Sequence, residues 1–286
     1  MELYPVHITN FKVDGGAMFG VVPKAIWQKR YPADDHNLVN LSLRSLLVSE
    51  GERLILIDTG WGDKQDEEFF RHVHLNGGDG LEGGLAQWGF KPEDVTDVVL
   101  THLHADHCGG AIRKGVENQS YEPVFPHATI WVSRDQWNWA LNPNPREKDA
   151  FLQENIMPLQ ESGSLRLVTG RQEIIPGFEV HLVNGHTPGQ MIPVIDTGEG
   201  RMIYAADLIP TAAHIPLLFN MAYDLFQLDT IKEKGDFLGS AWKNGDILFF
   251  EHDVYYPCCN LKKTEKGIRV DQTFTLEAYL KGTAPA

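Results

Sequence analysis

The sequence predicts an α/β fold of the α+β kind: two mixed β-sheets packed face to face, with helices on the outside. Short β-branched and aliphatic runs occupy both halves of the chain, and helical stretches lie between them. No low-complexity linker divides the 286 residues, so one domain spanning 1–286 is expected. Strand follows strand across short turns too often for a simple alternating parallel sheet.

In chain order, LVNLSLRSLLV (38–48) and RLILIDTG (53–60) read as paired strands, the second ending in a glycine turn. TDVVLTH (96–102) has the unbroken apolar character of a buried strand. HATIWV (127–132) is a further strand, and SRDQWNWAL (133–141) follows as a helix in which Ser133 and Gln136 fit a capping box. EKDAFLQENIMPL (147–159) reads as a helix that Pro158 helps to end. Three strands follow at 178–185, 191–198 and 201–207, closed by turns containing Gly and Asp. A helix over 230–245 stops at a glycine, and DILFFEHD (246–253) is again a strand.

Composition narrows the function classes. A hydrophobic content of 42% and a charged content of 22% are ordinary for a globular enzyme. The formal net charge of −14 repels phosphate backbones, so no nucleic-acid partner is expected. No run approaches the ~20 apolar residues of a membrane span, and the first residues show no secretory signal, so the expectation is a cytoplasmic protein with no membrane partner. Three cysteines (Cys108, Cys258 and Cys259) are too few and too poorly spaced for a disulfide framework and read as reduced thiols.

The strand at 96–102 ends in THLHADHCGG, which puts His102, His104, Asp106 and His107 within six positions. Alternate residues of an extended segment share a side, so His102 and His104 can address one ion. Asp106 and His107 come where the chain bends into a helix and point elsewhere, towards a second ion. A chance surface histidine run is the plainer reading for any isolated His, and His7, His36, His72, His74, His127, His181 and His214 are taken that way. Four ligand-type residues at H-x-H-x-D-H spacing do not fit that reading.

Four residues cannot saturate two ions, so partners are required. Three more strand ends offer them: His186 in NGHTPGQ, Asp207 in YAADLIP and His252 in FFEHDVY. In this arrangement His102, His104 and His186 hold one ion, Asp106, His107 and His252 hold the other, and Asp207 bridges them with its two oxygens. Cys108 follows His107 directly, but with seven ligands assigned it reads as a small packing residue.

H-x-H-x-D-H, then GH-[TS]-PG, a strand-end Asp and a late His resemble the metallo-β-lactamase superfamily of hydrolases. The likeness covers nearly the whole chain, since LILIDTGWG (54–62) matches the strand and turn that these proteins carry upstream of the histidine motif. It implies an αββα sandwich with a dinuclear centre at one edge, and a role for Asp58 in orienting a ligand histidine. DGGAMFGVVPKAIWQKRYP (14–32) is similar to a branch containing N-acyl homoserine lactonases and methyl parathion hydrolase, in which such a segment lies near the pocket and the dimer contact. That likeness implies a homodimer, and it makes Phe19 and Trp139 substrate-binding residues.

The superfamily carries several chemistries. An aspartate at the bridging position and the missing export signal speak against the true β-lactamases, whose second site uses Cys. His104 speaks against the flavodiiron oxygen reductases, which have Glu there. The basic surfaces of the tRNA-processing nucleases are absent. A glyoxalase II-like thioesterase shares the complete ligand set, and a mononuclear iron persulfide dioxygenase would leave His107 and His252 superfluous. A metal-stabilised binding protein without turnover would be expected to have lost ligands.

What remains is a hydrolase of a lactone or related ester, an acyl homoserine lactone among them, with phosphotriesterase side activity as a further expectation. Its cofactors are two divalent ions, zinc by default and manganese, iron or cobalt otherwise. They would share a bridging hydroxide as nucleophile. Well-studied lactonases carry a Tyr three residues after the bridging Asp, where this chain has Pro210. Leaving-group protonation then falls to Asp106, the candidate catalytic residue, or to a metal-bound water.

Overall fold

The computed structural model describes residues 1–115 and 120–284. In chain order the first sheet takes β1 (Glu2–Asp14), β2 (Leu38–Glu50), β3 (Arg53–Ile57) and β4 (Asp97–Val99). A short ribbon of β5 (Ile112–Lys114) and β6 (Tyr121–Pro123) intervenes before β7 (Thr129–Ser133) and β8 (Leu165–Val168) complete that sheet in the order β1-β2-β3-β4-β7-β8. The second sheet takes β9 (Gln172–Ile175), β10 (Phe178–Val183), β11 (Gln190–Asp196), β12 (Arg201–Tyr204), β13 (Ile247–Phe249), β14 (Cys258–Thr264) and β15 (Gly267–Phe274), each beside its chain neighbours.

Both sheets are mixed. β1, β2 and β3 pair antiparallel, whereas β3, β4, β7 and β8 run parallel. In the second sheet only β12 and β13 are parallel, and the helix Gln227–Asn244 connects them. Alternation along the strands explains the layering. Leu46, Val48, Ile55 and Ile57 point into a core shared with Phe178, Ile192, Met202 and Phe249 of the second sheet. Their neighbours Leu47, Leu54 and Leu56 point the other way, into a second core with Leu100, Trp137 and Ile156. The first sheet is therefore buried on both faces, and the expected αββα sandwich is what forms.

Several boundaries differ from the sequence reading, each for a local reason. β1, at 13 residues, had no strand assigned to it. A register shift between His7 and Thr9 breaks its period, so the buried residues Leu3, Val6, Ile8 and Phe11 do not alternate strictly. The helix expected over 147–159 runs instead over Gln153–Glu161 and passes through Pro158. Proline's fixed φ suits a helix, and the loss of one N–H bond at Pro158, the sixth of nine residues, does not end it. Ser133 caps the helix Arg134–Leu141 by accepting from the Gln136 N–H at 3.0 Å, as expected. The Gln136 side chain does not close the box. It accepts from the Leu103 N–H and donates to Thr187 Oγ1 and the Pro188 carbonyl, tying together two loops of the site.

The turn after β3 packs directly against the chain beyond His107. A Cβ on Gly110 would lie 2.1 Å from the Thr59 carbonyl oxygen. Backbone blocks that approach, and it cannot yield as a flexible side chain could. Gly239, within the helix Gln227–Asn244, has open space around it. Gly110→Ala is therefore expected to destabilise the protein by about 1–3 kcal/mol through overpacking. Gly239→Ala should stabilise it by roughly 0.5–1 kcal/mol through helix propensity. Thermal or denaturant unfolding of the two variants checks both signs.

Candidate metal centre

Two parallel strand pairs, one in each sheet, end on the same side of the sandwich, where α/β folds place their sites. The chain leaving β3 carries Asp58, and the chain leaving β4 carries His102 to His107. The chain leaving β12 carries Asp207, and the chain leaving β13 carries His252. His186 comes from the turn between β10 and β11. Two of the carriers sit in backbone that favours glycine: Asp58 has φ 56° and Ala206, beside Asp207, has φ 42°.

The ring nitrogens converge. His102 Nε2 lies 3.0 Å from His104 Nδ1, and His186 Nε2 lies 3.2 Å from the same atom. His107 Nε2 and His252 Nε2 are 3.2 Å apart, with Asp106 Oδ2 at 3.6 and 3.8 Å from them. Asp207 lies between the groups: Oδ2 is 3.1 Å from His186 and 3.6 Å from His107, and Oδ1 is 3.0 Å from His252. All seven residues singled out in the sequence thus meet at one place.

This arrangement fits divalent ions. Metal–nitrogen bonds of ~2.0–2.1 Å around a tetrahedral ion put neighbouring donors roughly 3.3 Å apart, close to the separations here. Bare ring nitrogens at such distances repel through their lone pairs unless a cation lies between them. Asp207 Oδ1 is buried with His252 Nε2 at 3.0 Å but makes no well-directed hydrogen bond, as a carboxylate oxygen facing an ion would. His102, His104 and His186 can hold one ion, and Asp106, His107 and His252 can hold another, with all donor atoms of each trio inside 4.8 Å.

The far nitrogen of each ring is held separately, which fixes tautomer and orientation. Thr101 Oγ1 spends its proton on Asp58 Oδ2 at 2.7 Å, so it accepts from His102 Nδ1 at 3.0 Å, leaving Nε2 free to face the centre. Glu147 Oε1 stands 3.2 Å from His104 Nε2, and Asp224 Oδ1 stands 3.0 Å from His186 Nδ1. His252 Nδ1 meets the Ser42 carbonyl at 3.0 Å. His107 Nδ1 sits between Asp58 at 3.0 Å and Glu251 at 3.1 Å.

Burial and charge then act in opposite directions. Burial drives His102 well below its ordinary value, helped by the neighbouring imidazoles. Burial, the largest effect, opposes charge on His186 and His252, but Asp207 together with Asp224 for His186 and with Glu251 for His252 outweighs it and raises them to about 10 and about 9. His107 is raised likewise by Glu251, Asp106 and Asp207 against its burial. Burial, then the Glu251 charge, pushes Asp58 up to about 7. The carboxylates draw positive charge into the centre, whether protons or metal ions supply it.

Asp58 was the one supporting residue named from the sequence. Glu147, Asp224, Glu251 and Thr101 were not. Thr101 and Glu251 each directly precede a ligand-type histidine, and that adjacency was a usable signal. Asp224 is 38 positions from His186, and nothing local marks it. Cys108 is fully buried with Sγ on the Leu103 carbonyl at 3.3 Å, and burial pushes its thiol up to about 12, so it packs as a neutral side chain.

A cavity of about 690 Å³ opens over the centre. His104, Asp106, His186, Asp207 and His252 line it on the inner side, and Phe11, Met18, Trp61, Phe69, Met221 and Tyr223 form much of its apolar wall. His72, set aside as an ordinary histidine, also lines it. Phe19 is not among the lining residues. It is 1% exposed and stacks between Trp27 and His214, while its neighbour Met18 reaches the cavity. Trp139 is also outside the lining and donates from Nε1 to Glu147 Oε2 at 2.6 Å, so it steadies the carboxylate that holds His104. Pro210 is absent from the wall as well, and the tyrosine there is Tyr223.

A two-sheet sandwich with histidine and carboxylate clusters at one edge defines a metal-dependent hydrolase. The chain belongs to the metallo-β-lactamase superfamily, whose family model matches residues 44–252. An N-acyl homoserine lactonase of Bacillus cereus is 26% identical over 250 residues, 82% of this chain and 87% of that one. The crystal structure of a probable metal-dependent hydrolase from Staphylococcus aureus is similar with a TM-score of 0.88 and 28% identity, covering 96% of this chain and 97% of that one. AidC, a dizinc quorum-quenching lactonase solved with the product N-hexanoyl-L-homoserine, has a TM-score of 0.80 at 23% identity, covering 96% and 95% of the two chains, and so shares the fold.

Removing a partner that orients a metal-binding histidine costs about 10–100-fold in metal affinity. Asp224→Ala is accordingly expected to weaken the centre by that factor in a chelator competition. Cys108→Ala should leave the metal content unchanged by elemental analysis, and loss of one equivalent would show the thiol to be a ligand.

Proposed function

We propose that this protein is a dinuclear metal-dependent lactonase or esterase that opens a lactone or related ester carrying an apolar acyl or aryl group. An acyl homoserine lactone is the leading candidate, with phosphotriesterase side activity. The carrying observation is the join between the two halves of the site: a largely apolar cavity of about 690 Å³ opens onto two ligand-type trios with the Asp207 carboxylate between them. His102, His104 and His186 are the proposed ligands of one ion, Asp106, His107 and His252 those of the other, and Asp207 the bridge. Zinc is the proposed metal, since imidazole and carboxylate together suit it.

Ions so held would lower the pKa of a water towards 7 and polarise the carbonyl under attack. The chain's own residues do the rest. Asp207, held from both sides by imidazoles, fixes the separation of the two trios. Asp106 is 19% exposed at its side chain and lines the cavity, so it can take the water's proton and return it to the leaving alkoxide. The apolar wall keeps bulk water off the acyl portion and positions the ring. A single-iron oxidoreductase would give His107 and His252 no task, and that favours the hydrolytic reading.

The reading extends to a homodimer in the cytoplasm. Val21, Ile26, Leu218 and Leu228 are exposed apolar side chains, and the three free, buried cysteines suit a reducing compartment. Light scattering should give twice the 32.2 kDa chain mass; a monomer would remove the dimer from the proposal.

Metal-defined enzyme should be assayed on acyl homoserine lactones, simple γ- and δ-lactones, aryl esters, paraoxon-type phosphotriesters, lactoylglutathione and a cephalosporin. Lactones should be the best substrates, and activity confined to lactoylglutathione would overturn the proposal in favour of a thioesterase. Asp207→Ala is expected to abolish hydrolysis and to lower metal occupancy below two ions per chain; retention of both by elemental analysis would refute the bridge.

A further inference from the structure

Trp61 stands between two cavities. Trp61 lines the cavity over the metal centre, and among the described residues it alone also lines a second cavity, of about 460 Å³. Ile8, Leu75, Leu81, Ile112 and Val124 supply apolar surface to that second space, with Asp63, Asp79, Glu82 and Arg113 among its other lining residues. It is thus partly apolar, and it shares one residue, Trp61, with the substrate cavity.

The way Trp61 is held supports a partition. Phe11 and Phe69 pack edge-on against it, with centroids at 5.8 and 5.5 Å and interplanar angles of 83° and 74°. Both are walls of the substrate cavity, so the ring is braced from that side. Its Nε1 is buried and has no hydrogen-bond partner, whereas a buried indole N–H ordinarily finds one. Packing alone therefore holds the ring, and its removal strands no acceptor. The backbone around it is fixed independently: Gly110 N–H donates to the Gly60 carbonyl at 2.8 Å, and Gly62 and Gly109 are in close contact.

We infer that Trp61 sets the longest acyl chain the site accepts, by closing the second cavity to the substrate's tail. A chain that fills the first cavity meets the indole, and further methylenes must turn towards solvent. With the indole gone the two spaces join, and a longer tail continues over Ile8, Leu81 and Ile112. Each methylene moved from water to such a surface is worth about fourfold in binding. The inference rests on the reading of the site as one for acyl substrates.

The test compares wild type, Trp61→Ala, Leu81→Trp and the double variant, all metal-loaded, on homoserine lactones from butanoyl to tetradecanoyl. The same proteins are titrated calorimetrically with N-alkanoylglycines from hexanoyl to tetradecanoyl, so that binding is read without turnover. In wild type the gain per methylene should stop at an intermediate length. In Trp61→Ala it should continue, raising the long-to-short ratio of kcat/KM, and of affinity, by at least tenfold. Leu81→Trp should leave the wild-type profile as it is and cancel the gain in the double variant. A break at the same length in wild type and Trp61→Ala would overturn the inference, as would a gain that Leu81→Trp does not cancel. If no variant hydrolyses any lactone, the proposed reaction fails, and the titrations still decide the role of Trp61.

Discussion

Five imidazoles and two carboxylates converge at one edge of the sandwich, with ring nitrogens 3.0–3.2 Å apart. No such ring is stable on its own, because lone pairs aimed at one another repel and buried carboxylates require positive charge nearby. Much of the surrounding structure holds the ring together against that cost. Thr101, Glu147, Asp58, Asp224, Glu251 and the Ser42 carbonyl each take the far side of a histidine. These partners come from both sheets and from the loops between them, so the centre forms only when the two halves of the chain meet.

That origin explains which parts were legible in the sequence. His102, His104, Asp106 and His107 lie within six positions, and a strand followed by a bend aims them in two directions whatever the rest of the fold does. His186, Asp207 and His252 are each isolated, but each follows an apolar strand, and four ligand-type residues at one strand end require such partners. Asp224 and Glu147 had no comparable mark. They lie in irregular segments whose position is set by packing at a distance, and a carboxylate in a loop is ordinarily a solvated one.

The fold shows the same division. Strands with an unbroken period, such as β3 and β11, were read within a few residues. β1 was missed because its bulge shifts the buried face midway, and β14 and β15 because half-buried residues leave little apolar signal. Phe19 and Trp139 went to the wall by resemblance to related proteins. Phe19 is consumed by a stack with Trp27 and His214, and Trp139 by its bond to Glu147. Aromatic residues near a pocket in sequence are as readily spent on supporting it as on lining it.

The wall is not mechanically uniform. Glu147 and Asp224, which orient His104 and His186, sit on two loops that also supply Arg146, Ala222 and Tyr223 to the cavity. The Arg146 guanidinium donates to the Ala222 carbonyl, so these two loops are tied across the opening. A change of shape on that side must disturb the carboxylates behind the histidines, and with them the metal. Phe11 and Phe69 brace Trp61, and of the three Phe11 packs on a ring of the centre, His252, at 5.7 Å. On one side of the cavity the wall residues share loops with carboxylates that orient histidines; on the other the aromatic side chains pack without hydrogen-bonding to those histidines. The Trp61 ring itself makes no hydrogen bond, so a change confined to that side chain leaves in place the bonds from Asp58 and the Ser42 carbonyl that orient His107 and His252.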